Sequence, residues 1–175
     1  MIYKTYYPSS IGIITLASDG ENLVGLWNEN QKYYGASINE TMIENNNLEV
    51  FEKAFKWLDD YFSGMKPDIS LLPLAPNGNE FRKDVWKILC DVPYGKTITY
   101  GEIAKKIAQK KGLKSMSAQA IGGAVGHNPI SIIIPCHRVV GSNNSLTGYA
   151  GGIDKKIKLL EIEGVDTSKL LIPKK

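Results

Sequence analysis

The run Pro135-Cys136-His137-Arg138-Val139 sets a thiol directly beside an imidazole and a guanidinium. Only the thiolate form of cysteine attacks, and nearby imidazole and positive charge lower a thiol's pKa, so these residue types in this order can make a nucleophile. Adjacent residues on extended chain point to opposite faces, so His137 needs a turn or a bridging water to act on Cys136. On spacing alone, a buried thiol next to a turn histidine is an equal reading. The other chemistry that cysteine and histidine suggest is metal binding. Cys90, His127, Cys136 and His137 are the chain's only residues of those types, and their spacings of 37, 9 and 1 fit no usual structural zinc pattern. No metal and no cofactor is expected.

These residues need a frame to hold them. The apolar run Ile130 to Ile134 predicts a buried strand that delivers Cys136 at its exit, ahead of a Gly-, Ser- and Asn-rich loop from Gly141 to Gly152. A closing helix from Asp154 to Glu163 presents Ile153, Ile157 and Leu160 on one face and stops at Gly164. Upstream, Asn79 caps a helix from Glu80 to Cys90 with Phe81, Val85, Ile88 and Leu89 inward. Pro93-Tyr94-Gly95 then turns the chain. Thr99-Tyr-Gly-Glu102 is a capping box, and its helix turns Ile103, Ala104 and Ile107 inward and Lys105 and Lys106 outward. A lysine-rich turn from Lys110 to Lys114 leads to Ser117, the cap of a helix that runs to Gly126 and is stopped by Asn128-Pro129. Helix, glycine-containing turn, helix is the helix-turn-helix pattern, here with a longer turn than usual.

Toward the amino terminus, Ile11 to Trp27 reads as a hairpin around Asp19-Gly20, followed by a short strand over Lys32 to Ala36. Leu48, Phe51, Phe55, Leu58 and Phe62 recur at helical spacing over residues 47–63. Residues 71–79, with Pro73, Pro76 and Gly78, read as an extended linker. The expected fold is therefore mixed α/β, with a small α/β module over residues 1–75 and a helical module over residues 76–175.

Charge divides along the same line. Residues 1–70 carry 5 basic and 10 acidic side chains, and residues 71–175 carry 16 and 8, so net charges of −5 and +8 underlie the chain's +3. That asymmetry points to a polyanion partner for the second module. Arg82 and Arg138 are the only arginines, so phosphates must be met mainly by lysine point charges. With 43% hydrophobic and 22% charged residues the chain is neither a disordered tail nor a coiled coil. No apolar run reaches membrane-spanning length and the first residues lack a secretory signal, so the expectation is a cytoplasmic protein, nucleoid-associated when on DNA, with no membrane partner.

Ile134-Pro-Cys-His-Arg-Val139 resembles the active-site signature of the O6-alkylguanine-DNA alkyltransferases. Residues 92–104 (VPYGKTITYGEIA), 118–129 (AQAIGGAVGHNP), 147–152 (TGYAGG) and 159–164 (LLEIEG) are similar to that family's segments, in the same order. The resemblance implies a ribonuclease H-like first module, a winged-helix-like second module, and a monomer acting on double-stranded DNA with alkylated bases. The target base is flipped, and its alkyl group passes irreversibly, once, from O6-alkylguanine or O4-alkylthymine to the protein's own cysteine. Carried onto this chain, Cys136 is the acceptor, His137 its base through a water, Glu163 the partner of that histidine, and Asn128 a support of the turn. Tyr100 is the proton donor to the leaving purine. Val139, Tyr149, Ala150 and Gly151 line the base pocket. Ala118, Gln119, Ala120, Gly122 and Gly123 face DNA, joined by Lys96 and Thr99.

Two residues depart from the family pattern. Gln119 stands where an arginine commonly fills the vacated stack, and Ala150 where some members carry a serine that can contact the alkylated oxygen. The competing readings are a non-catalytic or very slow alkyl-lesion sensor, which Cys136 argues against, and a cysteine hydrolase, for which no oxyanion or substrate-groove motif is present. An arginine at the finger position adds cation stacking on the bases, so Gln119→Arg is expected to tighten binding to lesion-bearing duplex a few-fold. Titration of wild type and variant with O6-methylguanine duplex measures this, and equal affinities with equal repair rates contradict it.

Overall fold

The computed structural model describes residues 1–146 and 148–171. Two units can be distinguished, one of Met1–Gly78 with Pro129–Ile133, the other of Asn79–Asn128 with the chain from Ile134 onward. The sequence reading of two consecutive blocks did not include the excursion over residues 129–133.

The sheet of the first unit is built from β1 (Ile2–Ser9), β2 (Gly12–Ser18), β3 (Leu23–Asn28) and β4 (Met42–Glu44), in the order β3-β2-β1-β4, with burial alternating along part of β1 and continuous along β3 and most of β2. All pairs are antiparallel except β1 with β4. The β2–β3 hairpin turns at the expected place. There the Asp19 carboxylate accepts from the amides of Glu21 and Asn22 at 3.0 and 2.7 Å, and Gly20 takes φ +107°. Strand β1 was not anticipated, because its buried side chains Thr5 and Tyr7 carry hydroxyls and give little hydropathy signal. The expected strand at residues 32–36 is instead a series of turns, with Tyr33 and Gly35 in the left-handed region at φ +62° and +67°. Helix α1 (Glu49–Phe62) buries Val50, Phe51, Ala54, Trp57, Leu58 and Tyr61, so its inward stripe is rotated from the predicted one by its large aromatics. Residues 71–79 are not a free linker, since Leu23 donates to Pro73 O at 2.7 Å and accepts from the Ala75 amide at 2.9 Å.

The second unit comprises α2 (Glu80–Cys90), β5 (Ile98–Thr99), α3 (Tyr100–Lys111), α4 (Ala118–Gly126), β6 (Val139–Val140) and α5 (Ile153–Ile162). Its caps are those the sequence indicated. Asn79 accepts from the Arg82 amide at 2.8 Å, Thr99 from Glu102 at 3.1 Å and Ser117 from Ala120 at 3.3 Å, each satisfying a donor that the helix start leaves unpaired. Trp86 ties α2 to α4 by donating Nε1 to Ala124 O at 2.9 Å. No helix among the described residues is long and apolar enough to cross a membrane.

The stretch before Cys136 departs most from expectation. Residues 130–134 are buried but form no strand. Pro129 O accepts from Leu26 N at 2.8 Å and Ser131 N donates to Leu26 O at 3.0 Å, a single parallel bridge beside β3. Ile132 then takes φ +70° while Ile133 N donates to Ser131 O at 2.8 Å, which makes a tight γ-turn through a buried β-branched residue. A second γ-turn follows at Pro135 (φ −81°, ψ 66°), closed by Cys136 N donating to Ile134 O at 2.8 Å. Cys136–Arg138 is a 3-10 turn, so Cys136 stands at the start of a turn and not at a strand exit. An apolar run dictates burial, but Pro129 and Pro135 lack the donors a ladder needs.

Candidate active site and nucleic-acid interface

All of the predicted site residues belong to the second unit. Buried His137 brings Nε2 to 2.5 Å from Glu163 Oε2. Glu163 Oε1 accepts from Arg138 Nε at 2.7 Å and from the Gly95 amide at 2.9 Å. Arg138 in turn donates Nη1 to Val92 O at 2.7 Å and lies 5.8 Å over the Tyr94 ring. Burial pushes the Glu163 carboxyl up, yet the hydrogen bonds and charges of His137 and Arg138 outweigh it and hold the group at about 2. An ionised carboxylate has no proton to give, so His137 Nε2–H is the donor. Burial lowers the His137 pKa, against the opposing pull of Glu163. The imidazole is therefore neutral, with its lone pair on Nδ1. Sequence reasoning paired His137 with Glu163 but missed Arg138. The available signal was the cost of burying an acid, which demands more than one donor.

Cys136 is 4% exposed. The Ile134 carbonyl that accepts its amide also accepts Asn128 Nδ2 at 2.8 Å, so the buried Asn128 amide ties the end of one segment of this unit to the start of the next. Parallel pairing of β5 with β6 sets Ile98 against Val139 and Thr99 against Val140. Neither short strand was predicted, and their pairing is what brings the start of α3 alongside the 136–138 turn. Tyr100 is the first residue of α3, and a Cβ built on Gly148 would lie 3.0 Å from its hydroxyl, so Tyr100 reaches the loop that carries buried Tyr149 and half-buried Ala150 and Gly151. Gly152 N donates to Tyr149 O at 3.0 Å and closes that loop. Thr147 lies outside the described residues.

Lys156 was not foreseen, because helical periodicity assigns a charged residue to the surface. It is fully buried and donates Nζ to Val139 O at 2.5 Å. Cys90 is half-buried, and burial with the charge of Asp91 raises its thiol to about 11, which suits a structural role.

On α4, Ala118, Gln119, Ala120 and Gly123 are exposed, while Ile121, Ala124 and Val125 pack inward. A Cβ added at Gly122 or Gly123 would meet nothing within 4 Å. Internal packing therefore does not require these glycines. Lys96, Lys105, Lys106 and Lys114 are exposed, whereas Lys110 pairs with Asp84 at 2.9 Å and Lys111 lies 5.4 Å over the Phe81 ring. His127 ends α4, with Nδ1 2.7 Å from Gly123 O. Among the described residues, no group of three or more His, Cys, Asp or Glu could hold a metal ion.

Residues 2–76 match the ribonuclease-like domain of 6-O-methylguanine DNA methyltransferase, and residues 80–165 match that enzyme's DNA-binding domain. A methylated-DNA–protein-cysteine methyltransferase from Haemophilus influenzae is 40% identical over 94% of this chain and 87% of its own length. One from Methanosarcina acetivorans is 43% identical over 93% of this chain and 99% of its own. The crystal structure of Mycobacterium tuberculosis O6-methylguanine methyltransferase superposes with a TM-score of 0.77 at 39% identity, covering 93% of each chain. A structure of the Mycobacterium tuberculosis protein in complex with DNA gives the same TM-score at 38% identity, over 97% of this chain and 94% of that one.

Alanine is the better helix former, so Gly123→Ala is expected to stabilise the fold by ~1 kcal/mol. The added methyl keeps the outside surface away, so duplex binding falls roughly ten-fold. Thermal unfolding and DNA titration read the two effects separately, and a stabilised variant with unchanged affinity contradicts the assignment.

Proposed function

We propose the reaction from one premise, that the chain belongs to the 6-O-methylguanine DNA methyltransferase family. It binds DNA and repairs it by transferring alkyl groups from damaged bases to a protein cysteine. The finer reading is that a monomer in the cytoplasm takes O6-alkylguanine or O4-alkylthymine out of duplex DNA and keeps the alkyl group on Cys136 after one turnover. The observation that supports it is the buried Cys136, His137 and Glu163 set, in which burial keeps His137 neutral and the anionic Glu163 accepts its Nε2 proton, leaving Nδ1 able to accept another.

His137 Nδ1 takes the Cys136 proton through a water, and the thiolate attacks the alkyl carbon in line with the bond to O6. The carbon–sulfur bond forms as the carbon–oxygen bond breaks, and the electron pair leaves with the purine. Tyr100 donates a proton to that purine, so the proton lost by sulfur is balanced by the one gained by the base. Backbone amides of the loop at residues 149–152, with Tyr149, donate to the alkylated oxygen. Ala150 brings only its backbone to this contact, and the Val139 backbone reads the base edge. Alkylated oxygen lies inside the base stack, so the nucleotide is rotated out at a cost of a few kcal/mol, and Gln119 fills the space. Ala118, Ala120, Gly122 and Gly123 let α4 approach the duplex closely. Lys96 meets phosphate, and Thr99, whose oxygen accepts the Glu102 amide, keeps a hydroxyl proton to give to one.

Incubation with duplex containing O6-methylguanine, followed by peptide mass spectrometry, tests the reading. One methyl group retained per protein on the Cys136 peptide, absent from Cys136→Ser, is the expected result. Multiple turnovers with restored DNA, or binding without an adduct, contradicts it in favour of a hydrolase or a lesion sensor respectively.

A further inference from the structure

Gln31, in the turns that follow β3, is a polar side chain left only 5% exposed. Its Oε1 accepts from the Asn28 amide at 3.0 Å, from Asn28 Nδ2 at 3.1 Å and from Ser131 Oγ at 3.1 Å, while its own amide donates to Asn28 O at 3.2 Å. The bonds to Asn28 clamp Gln31 to the end of β3, and the bond to Ser131 reaches a residue 100 positions along the chain in the same unit. Ser131 is the one polar residue in the apolar run Ile130 to Ile134 and is 1% exposed. Alanine would serve burial as well, so a hydroxyl at this place is costly unless it has an acceptor, and Gln31 supplies one.

Each polar group of Ser131 has a task. Its amide donates to Leu26 O at 3.0 Å, its carbonyl accepts from Ile133 N at 2.8 Å to close the γ-turn, and its hydroxyl is held by Gln31. That γ-turn places buried Ile132 at φ +70°, a conformation that a β-branched residue keeps only where its surroundings hold it. Ile134 O then accepts the Cys136 amide at 2.8 Å, so consecutive turns lead from Ser131 to the thiol five residues on. Ser131 is the point where the grip of β3 meets the strained turn. We propose that Gln31 is a positioning residue for the alkyl transfer: by holding the Ser131 hydroxyl it keeps the Ile132 turn closed and fixes the backbone that delivers Cys136. This rests on the reading of Cys136 as the nucleophile. It also gives the first unit a part in the chemistry, exerted through the chain itself. Once the hydroxyl is released, the Ser131 peptide can rotate, Ile132 can relax toward an ordinary conformation, and the residues that follow shift with it. In-line attack on an alkyl carbon is sensitive to such a shift.

Ser131→Ala removes one hydroxyl and leaves Gln31 Oε1 its two bonds from Asn28. At saturating O6-methylguanine duplex its single-turnover methyl transfer is expected to slow by about ten-fold, within the ~10²-fold that a misplacement of about 1 Å can cost. Affinity for the same duplex, measured in a Cys136→Ser background, is expected to stay unchanged. Amide hydrogen exchange is expected to speed up at Ile133 and Cys136, whose amides close the two γ-turns, and to stay as in wild type along β1, β2 and β3. Gln31→Leu is expected to slow transfer at least as much, and the double variant no more than Gln31→Leu alone, because both changes break one bond. Should Gln31→Leu not fold, Ser131→Ala decides by rate, affinity and exchange. An unchanged rate overturns the proposal, as does exchange that rises along the whole sheet, which marks a general loss of stability. Rate losses that multiply in the double variant overturn it too. If wild type itself takes no methyl group from the duplex, the reading of Cys136 fails, and exchange at Ile133 and Cys136 in Ser131→Ala then decides whether Gln31 holds the segment.

Discussion

Glu163 is an acid buried at the carboxyl end of a helix, where desolvation and the helix dipole both oppose its charge. It stays ionised because three donors converge on two oxygens: the His137 imidazole, the Arg138 guanidinium and the Gly95 amide. Taking away any of them leaves a buried charge short of a partner, which costs far more than the hydrogen bond itself is worth. The same three contacts fasten the end of α5 to the Pro93-Tyr94-Gly95 turn and to the turn that carries Cys136. Tyr94 adds a bond from its hydroxyl to Ile162 O at 3.0 Å, and a Cβ on Gly95 (φ +80°) would come within 3.0 Å of Glu163 O, so glycine is needed there for both space and backbone conformation. One carboxylate thus sets which nitrogen of the neutral histidine carries the proton, and the placement of the segments around it.

The approach to Cys136 is built to a different rule, that of tight turns in place of a ladder. Ile132 in the left-handed region is a conformation of order 1–3 kcal/mol above the ordinary ones, held between Ser131, whose amide donates to Leu26 O, and Ile133, whose amide donates to Ser131 O. On the far side of that turn, Ile134 O accepts from both Asn128 Nδ2 and the Cys136 amide. A thiol at the start of a turn so anchored has little freedom to drift, which suits the proposed displacement with its in-line approach. Close by, the β5–β6 pairing delivers Tyr100 and the α3 terminus to the same neighbourhood with only two residues in each strand.

Much of this was legible in the amino-acid sequence, and the reasons are local. Asn79, Thr99 and Ser117 each cap the helix they were expected to cap, because capping is a property of a few adjacent residues. The hairpin at Asp19-Gly20 and the helix stop at Gly164 follow from the same kind of short-range chemistry. What stayed hidden depends on contacts far apart in the chain. No local pattern reveals that Val139 pairs with Ile98, that Arg138 serves Glu163 rather than DNA, or that Lys156 turns inward. The apolar run at residues 130–134 announced its burial correctly, yet its path is set by two prolines and by Asn128, so a strand was the wrong inference. Family resemblance gathered Cys136, His137 and Glu163 in advance, and the geometry adds why the trio needs Arg138.

Everything in the relay turns on where the His137 proton sits. Nitrogen-15 NMR of the imidazole distinguishes the two neutral tautomers and the cation. A neutral ring protonated on Nε2 across the range from mildly acidic to mildly basic pH is the predicted result, with the Nδ1 resonance that of an unprotonated nitrogen. An imidazolium at neutral pH, or a ring protonated on Nδ1, would contradict the account, since His137 could not then accept the proton of Cys136.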